Sequence, residues 1–170
     1  MRFVWGFVTA VVIALLLGLA ITFSGAYNVA ANVPDPAITQ WLLSTNMQRS
    51  VVRHAQSVSA PAQLSEQQAR NGIAIYKETC VYCHGAPGQD PGDIGKGLNP
   101  EPPYLPDTVA RWSSAQLFWI IKNGIRMTGM GSYGTVHNDD EIWSLVAFVQ
   151  RLPNMTPEQY KQLAAAGPAG

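Results

Sequence analysis

Cys80-Val81-Tyr82-Cys83-His84 decides how this chain is read. Two cysteines three apart, with a histidine directly after the second, form the attachment signature of a c-type haem. The spacing has a chemical reason. On one turn of helix and its exit, two such thiols each reach one vinyl group of a porphyrin, and the His84 imidazole stands over the iron as proximal ligand. Competing chemistries for these residues are weaker. A disulfide between Cys80 and Cys83 closes too small a loop to stabilise much. A thioredoxin-like redox pair needs a βαβ context, and no alternating strand pattern surrounds Cys80. A structural zinc site needs four ligands, and the only other Cys or His residues are the distant His54 and His137.

On the N-terminal side of the motif, Ser65 and Gln68 form a capping pair that opens a helix running through Gly72, Ile73 and Tyr76 to Cys80. Gly72 costs helix stability and predicts the close approach of another helix. After His84 a Gly- and Pro-rich stretch, 85–108, is expected to stay irregular and to wrap the porphyrin. Ser113 then caps a helix with Leu117, Ile120 and Ile121 on its apolar face and Gly124 as its stop. The last strong helix opens on Asn138-Asp139-Asp140-Glu141, acidic residues suited to a helix N-terminus, and runs to Arg151 ahead of Pro153. The tail from Asn154 has room for a short helix and shows no chemistry.

The iron's upper position has three candidates downstream: Met127, Met130 and His137. A thioether there raises the reduction potential and closes the site, giving an electron carrier; an empty position gives a gas binder or a peroxidase. Met130, between Gly129 and Gly131 in a flexible loop, is the expected ligand, with Met127 as runner-up. His137 reads as a surface or loop histidine and His54 as a solvated one.

Further from the motif, the run from Phe3 to Phe23 carries no charge and is long enough to cross a hydrocarbon core of about 30 Å as a helix. Trp5 and Tyr27 bracket it as interfacial aromatics. With Arg2 on the short side, the positive-inside rule leaves the N-terminus in the cytoplasm and the rest of the chain outside. Ser24-Gly25-Ala26 offers a signal-peptidase alternative, but the apolar run exceeds a signal core of about 7 to 15 residues, so a retained anchor is expected. Between anchor and haem segment lies a connector. Its helix is expected to start at Asp35-Pro36, with Ile38, Trp41, Leu42, Thr45, Val52 and Ala55 on one face. That face suits a membrane surface, a neighbouring subunit or the helix's own domain, and the sequence does not choose. Ser57 to Leu64 reads as a linker.

Lys and Arg equal Asp and Glu in number, 11 each, which leaves no basic excess for a nucleic-acid partner. Residues 65–170 hold eight basic and ten acidic side chains. That mildly acidic balance suits a redox partner with a basic docking patch.

Residues 65–153 resemble the class I c-type cytochromes, small bacterial monohaem proteins also found as domains of terminal oxidase complexes. The likeness rests on Gly72 and Tyr76 ahead of Cys80-Val81-Tyr82-Cys83-His84-Gly85, on Ile125-Arg126-Met127-Thr128-Gly129-Met130, and on Trp143 to Phe148. The resemblance implies an all-α fold of three to four helices around one covalent haem c, with Met130 as axial ligand and Gly72 and Tyr76 crossing the last helix near Phe148. The family usually has Pro after the ligand Met; Gly131 stands there instead, which implies a less stiff loop. Tyr27-Asn28-Val29-Ala30-Ala31 and Trp41-Leu42-Leu43 are similar to membrane-tethered members.

The expected organisation is therefore an anchor at 1–27, a connector at 28–64, a haem domain at 65–153 and a tail at 154–170. The expected role is a membrane-anchored carrier of single electrons on the periplasmic face of a bacterial inner membrane. It would act as a shuttle or as a subunit of a respiratory oxidoreductase, with a membrane donor, an outside acceptor and the lipid bilayer as partners and no catalytic residue. Leu117, Ile120, Ile121 and Tyr82 are expected to wall the haem from water. The alternative is a haem enzyme or gas binder with an open sixth position.

Overall fold

The computed structural model describes residues 1–166. It divides into two compact units, Met1–Val33 and the chain from Pro34 onward. Among the described residues every regular element is helical, and the one β-type pairing is an isolated bridge between Ala86 and Gln89.

The first unit is built on α1 (Arg2–Ser24), which ends on Gly25 in the left-handed region at φ 66°. It is long and apolar enough to cross a membrane. The hydroxyls of Thr9 and Thr22 each donate to the carbonyl four residues earlier, Trp5 and Gly18, at 2.9 Å. Both polar side chains are thus satisfied inside the helix.

The second unit opens with α2 (Ala37–His54). Pro36 itself holds the cap position, so the start lies one residue later than the sequence suggested, and no side chain caps it. Gln40 instead donates its amide to the Asp35 carbonyl at 2.8 Å. The packing of α2 divides the expected stripe. Val51 and the following Ala55 are buried, while Ile38, Trp41, Leu42 and Val52 of the expected stripe are exposed. The packing surface of α7 decides this. His54 is exposed, as expected, yet its ring also stacks on Trp119 with centroids 5.6 Å apart.

The core is a crossing of two helices. α3 (Glu66–Thr79) starts on the Ser65–Gln68 capping box, and α8 (Asp139–Val149) starts on an Asn138–Glu141 box. A Cβ on Gly72 would collide with the Ser144 carbonyl and lie 2.5 Å from its carbon, so only glycine lets the backbones meet. Tyr76 and Phe148 meet there at 5.0 Å between ring centroids, tilted by 59°. The helix α8 is buried along its whole length from Ile142 to Val149. It ends two residues before Arg151, and a short 3₁₀ turn carries the chain past Pro153.

Three single turns lie between these helices: α4 (Val81–His84), α5 (Asp93–Lys96) and α6 (Leu105–Thr108). The last two fall in the stretch expected to be irregular. Ser113 and Gln116 box the start of α7 (Ser114–Asn123), which ends on Gly124 at φ 68°. Phe118 of α7 stacks on Trp143 of α8 at 4.3 Å. The tail forms α9 (Pro157–Ala165), which puts Tyr160 into the core and accepts a 2.6 Å hydrogen bond from Lys77 at the Ala164 carbonyl.

Candidate haem site

The attachment motif sits at the joint of α3 and α4. Cys80 closes α3, its N–H donating to the Tyr76 carbonyl at 2.9 Å, and at once begins α4. The Cys80 carbonyl accepts from both Cys83 (3.1 Å) and His84 (2.9 Å), so all three motif residues share one tight turn. Gly85 follows at φ 63°, and a Cβ there would lie 2.6 Å from the Gln89 carbonyl oxygen. The turn is pinned from two sides. Tyr76 donates its hydroxyl to the Gly85 carbonyl at 2.6 Å, and Tyr104 donates to the Ala86 carbonyl at 2.8 Å. Gly95 of α5 lies against the Cys83 backbone, where a Cβ would come within 2.7 Å of its carbonyl oxygen.

The donor set fits a covalent haem. Both cysteines are half-buried thiols with no disulfide between them. Burial, with the neighbouring Cys83 adding and the Thr79 hydroxyl opposing, pushes the Cys80 thiol up to about 11. His84 Nδ1 donates to the Pro103 carbonyl at 2.8 Å, which fixes the tautomer and leaves the Nε2 lone pair for a metal. Burial lowers the His84 pKa and the bond to Pro103 opposes that, so the imidazole is favoured in its neutral, ligating form.

Two methionines occupy the loop after α7, and they differ. Met130 is half-buried against the rim of the core that also includes Cys80, Trp112 and Tyr133. Met127 is 70% exposed and adopts φ 61°, the left-handed region. The loop is closed on itself. Ile125 donates to the Met130 carbonyl at 3.1 Å, the Thr128 hydroxyl donates to the Ile125 carbonyl at 2.7 Å, and Met130 N–H donates to that hydroxyl at 3.1 Å. Gly129 rests on Leu98, which reaches it from the end of the α5 segment. These bonds hold the loop in shape even though glycine stands at position 131.

Of the residues expected to wall the haem, Leu117 and Ile121 are buried, Ile120 is half-buried and Tyr82 is exposed. Tyr133 also stands near the thiols. Its phenol pKa is raised chiefly by burial, next by Cys80, and lowered by a hydrogen bond with Thr79, which puts it beside the thiols. Its ring stacks on His137 at 6.1 Å, and His137 lies 3.4 Å from Glu141. Tyr133 sits in a polar loop without periodicity, so no sequence signal marked it.

An all-helical domain with two thiols and a tethered imidazole on one turn, and a methionine-bearing loop packed on the same core, defines a c-type cytochrome domain. Residues 67–149 match the family described as cytochrome C oxidase, cbb3-type, subunit III, and that segment is a c-type cytochrome domain that binds haem c and transfers electrons. No curated protein matches the chain.

Proposed function

We propose that Cys80 and Cys83 hold one haem c through thioether bonds, with His84 and Met130 as axial ligands of its iron and Met127 outside the coordination sphere. When bound, that haem supplies a single-electron couple. The chain's own residues do the rest. Pro103 orients His84, the Thr128 and Ile125 bonds hold Met130 in place, and Leu117 and Ile121 exclude water. The observation that carries this reading is the His84 Nδ1 bond to Pro103, which presents Nε2 from the same turn as both thiols.

In the division we propose, 1–27 anchors the protein in the inner membrane with its N-terminus cytoplasmic, and 28–64 connects. The haem domain, 65–153, then works on the periplasmic side, followed by the tail 154–170. It passes single electrons between protein partners, as a subunit of a membrane oxidoreductase or as a tethered shuttle, and makes or breaks no substrate bond. The family match and the apolar α1 support this.

Intact mass and spectroscopy of protein extracted from membranes test the proposal together. The expected result is a mass one haem above the polypeptide, colour retained after acid–organic extraction, and the weak far-red band of sulfur–iron ligation in the oxidised state. Colour lost on extraction would remove the covalent bond, and a high-spin spectrum would remove Met130.

A further inference from the structure

We propose that α2 lies on the anionic surface of a lipid bilayer, with Ile38, Trp41 and Leu42 inserted at the headgroup boundary and Arg49 and Arg53 on lipid phosphates. The inference rests on the reading of α1 as a membrane anchor.

Three observations carry it. First, at 100° per residue Ile38, Trp41, Leu42, Arg49, Val52 and Arg53 fall within an arc of about 120°. Val51 and Ala55, which dock the helix on its own domain, lie outside that arc and are buried. The docked helix therefore presents its apolar stripe outward: Ile38, Trp41 and Leu42 are 61%, 60% and 53% exposed. Second, the charge is of one sign. The helix contains no Asp or Glu, and the only formally charged side chains on it, Arg49 and Arg53, share the apolar face. A basic amphipathic helix with Trp and Leu on the apolar side matches an anionic lipid interface, where Trp ring and indole N–H both find suitable surroundings. Third, the connecting chain is short enough to allow it. Residues 25–36 separate α1 from α2, at most about 45 Å of extended backbone from the end of the bilayer-spanning helix.

Photocrosslinking from the full-length holoprotein in vesicles of phosphatidylcholine and phosphatidylglycerol tests this. Three variants each carry p-benzoyl-phenylalanine in place of one residue: Leu42 on the proposed face, Gln40 on the opposite side of α2, and Leu16 in α1. All three keep the haem spectrum if folded. The expected result is phospholipid adducts at positions 42 and 16 and few at 40. Replacing one arginine (Arg49→Gln or Arg53→Gln), which removes one charge from the lipid contact, should lower the yield at 42 about fivefold. Vesicles of phosphatidylcholine alone should lower it further.

Adducts at 16 with none at 42 would overturn the proposal and leave the anchor standing. No adduct at either position would overturn the anchor and this inference with it. A protein adduct at 42 would assign the face to a partner or a second copy, and a yield at 42 indifferent to anionic lipid would remove the arginines' role.

Discussion

The Tyr76 hydroxyl donates a 2.6 Å hydrogen bond to the carbonyl of Gly85, joining the middle of the core to the exit of the attachment turn. Both partners are buried, and the same ring packs on Phe148. Burial also pushes the Tyr76 phenol far above its ordinary pKa, so it stays a donor throughout the working pH range. Tyr76→Phe keeps the ring contact and strands the Gly85 carbonyl. The expected loss is about 1 to 3 kcal/mol of stability, the cost of an unsatisfied buried acceptor. Chemical denaturation of the haem-loaded variant measures it, and an unchanged midpoint would show that water replaces the phenol.

Gly72→Ala should be more harmful than helix propensity suggests. Alanine improves an exposed helix by up to about 1 kcal/mol over glycine. Here its methyl would strike the Ser144 carbonyl, and separating α3 from α8 should cost about 1 to 3 kcal/mol net. A variant as stable as the parent by thermal unfolding would mean that the crossing is looser than its geometry indicates.

The two methionines give opposite expectations. Met130→Leu keeps volume and removes sulfur, so the far-red band should vanish and the reduction potential should fall. Met127→Leu should leave both unchanged, since that side chain is exposed. Redox titration with visible spectroscopy reads both variants, and a band lost in the Met127 variant alone would reverse the ligand assignment.

Gly131 has no atom within 4 Å of where its Cβ would be, and its φ lies outside the left-handed region. Gly131→Pro has space for its Cβ and reduces the freedom of the unfolded loop, which is expected to stabilise the protein by about 0.4 to 1 kcal/mol if the native φ matches the value of about −65° that proline requires. The measurement is the temperature at which the far-red band disappears on heating. A lower temperature than in the parent would show that Met130 cannot tolerate the restriction a following proline imposes.

What was legible in the chain was local or covalent in origin. The Cys80–His84 spacing, the Ser65 and Ser113 caps and the Gly124 stop all involve residues within four positions of each other, and each stands where it was expected. Gly72 was legible because glycine weakens a helix interior unless a neighbouring backbone needs the space of its missing side chain. What the sequence left open depends on distant partners. The rotation of α2 follows from the surface of α7, which a single-helix pattern does not contain, so Ile38 and Trp41 went to the outside and Val51 inward. The single turns α5 and α6 form within a glycine- and proline-rich stretch because contacts such as Gly95 on Cys83 hold them. Tyr133 reaches the core from a segment without a periodic pattern.

The tail has one more consequence. Pro157 lies against Gly88, where a Cβ would come within 2.7 Å of it, and Tyr160 stands 6.4 Å from Phe148. The C-terminal helix thus braces the loop that leaves the attachment turn. Loss of that last helix would therefore loosen the loop after His84 as well as the Phe148 side of the helix crossing.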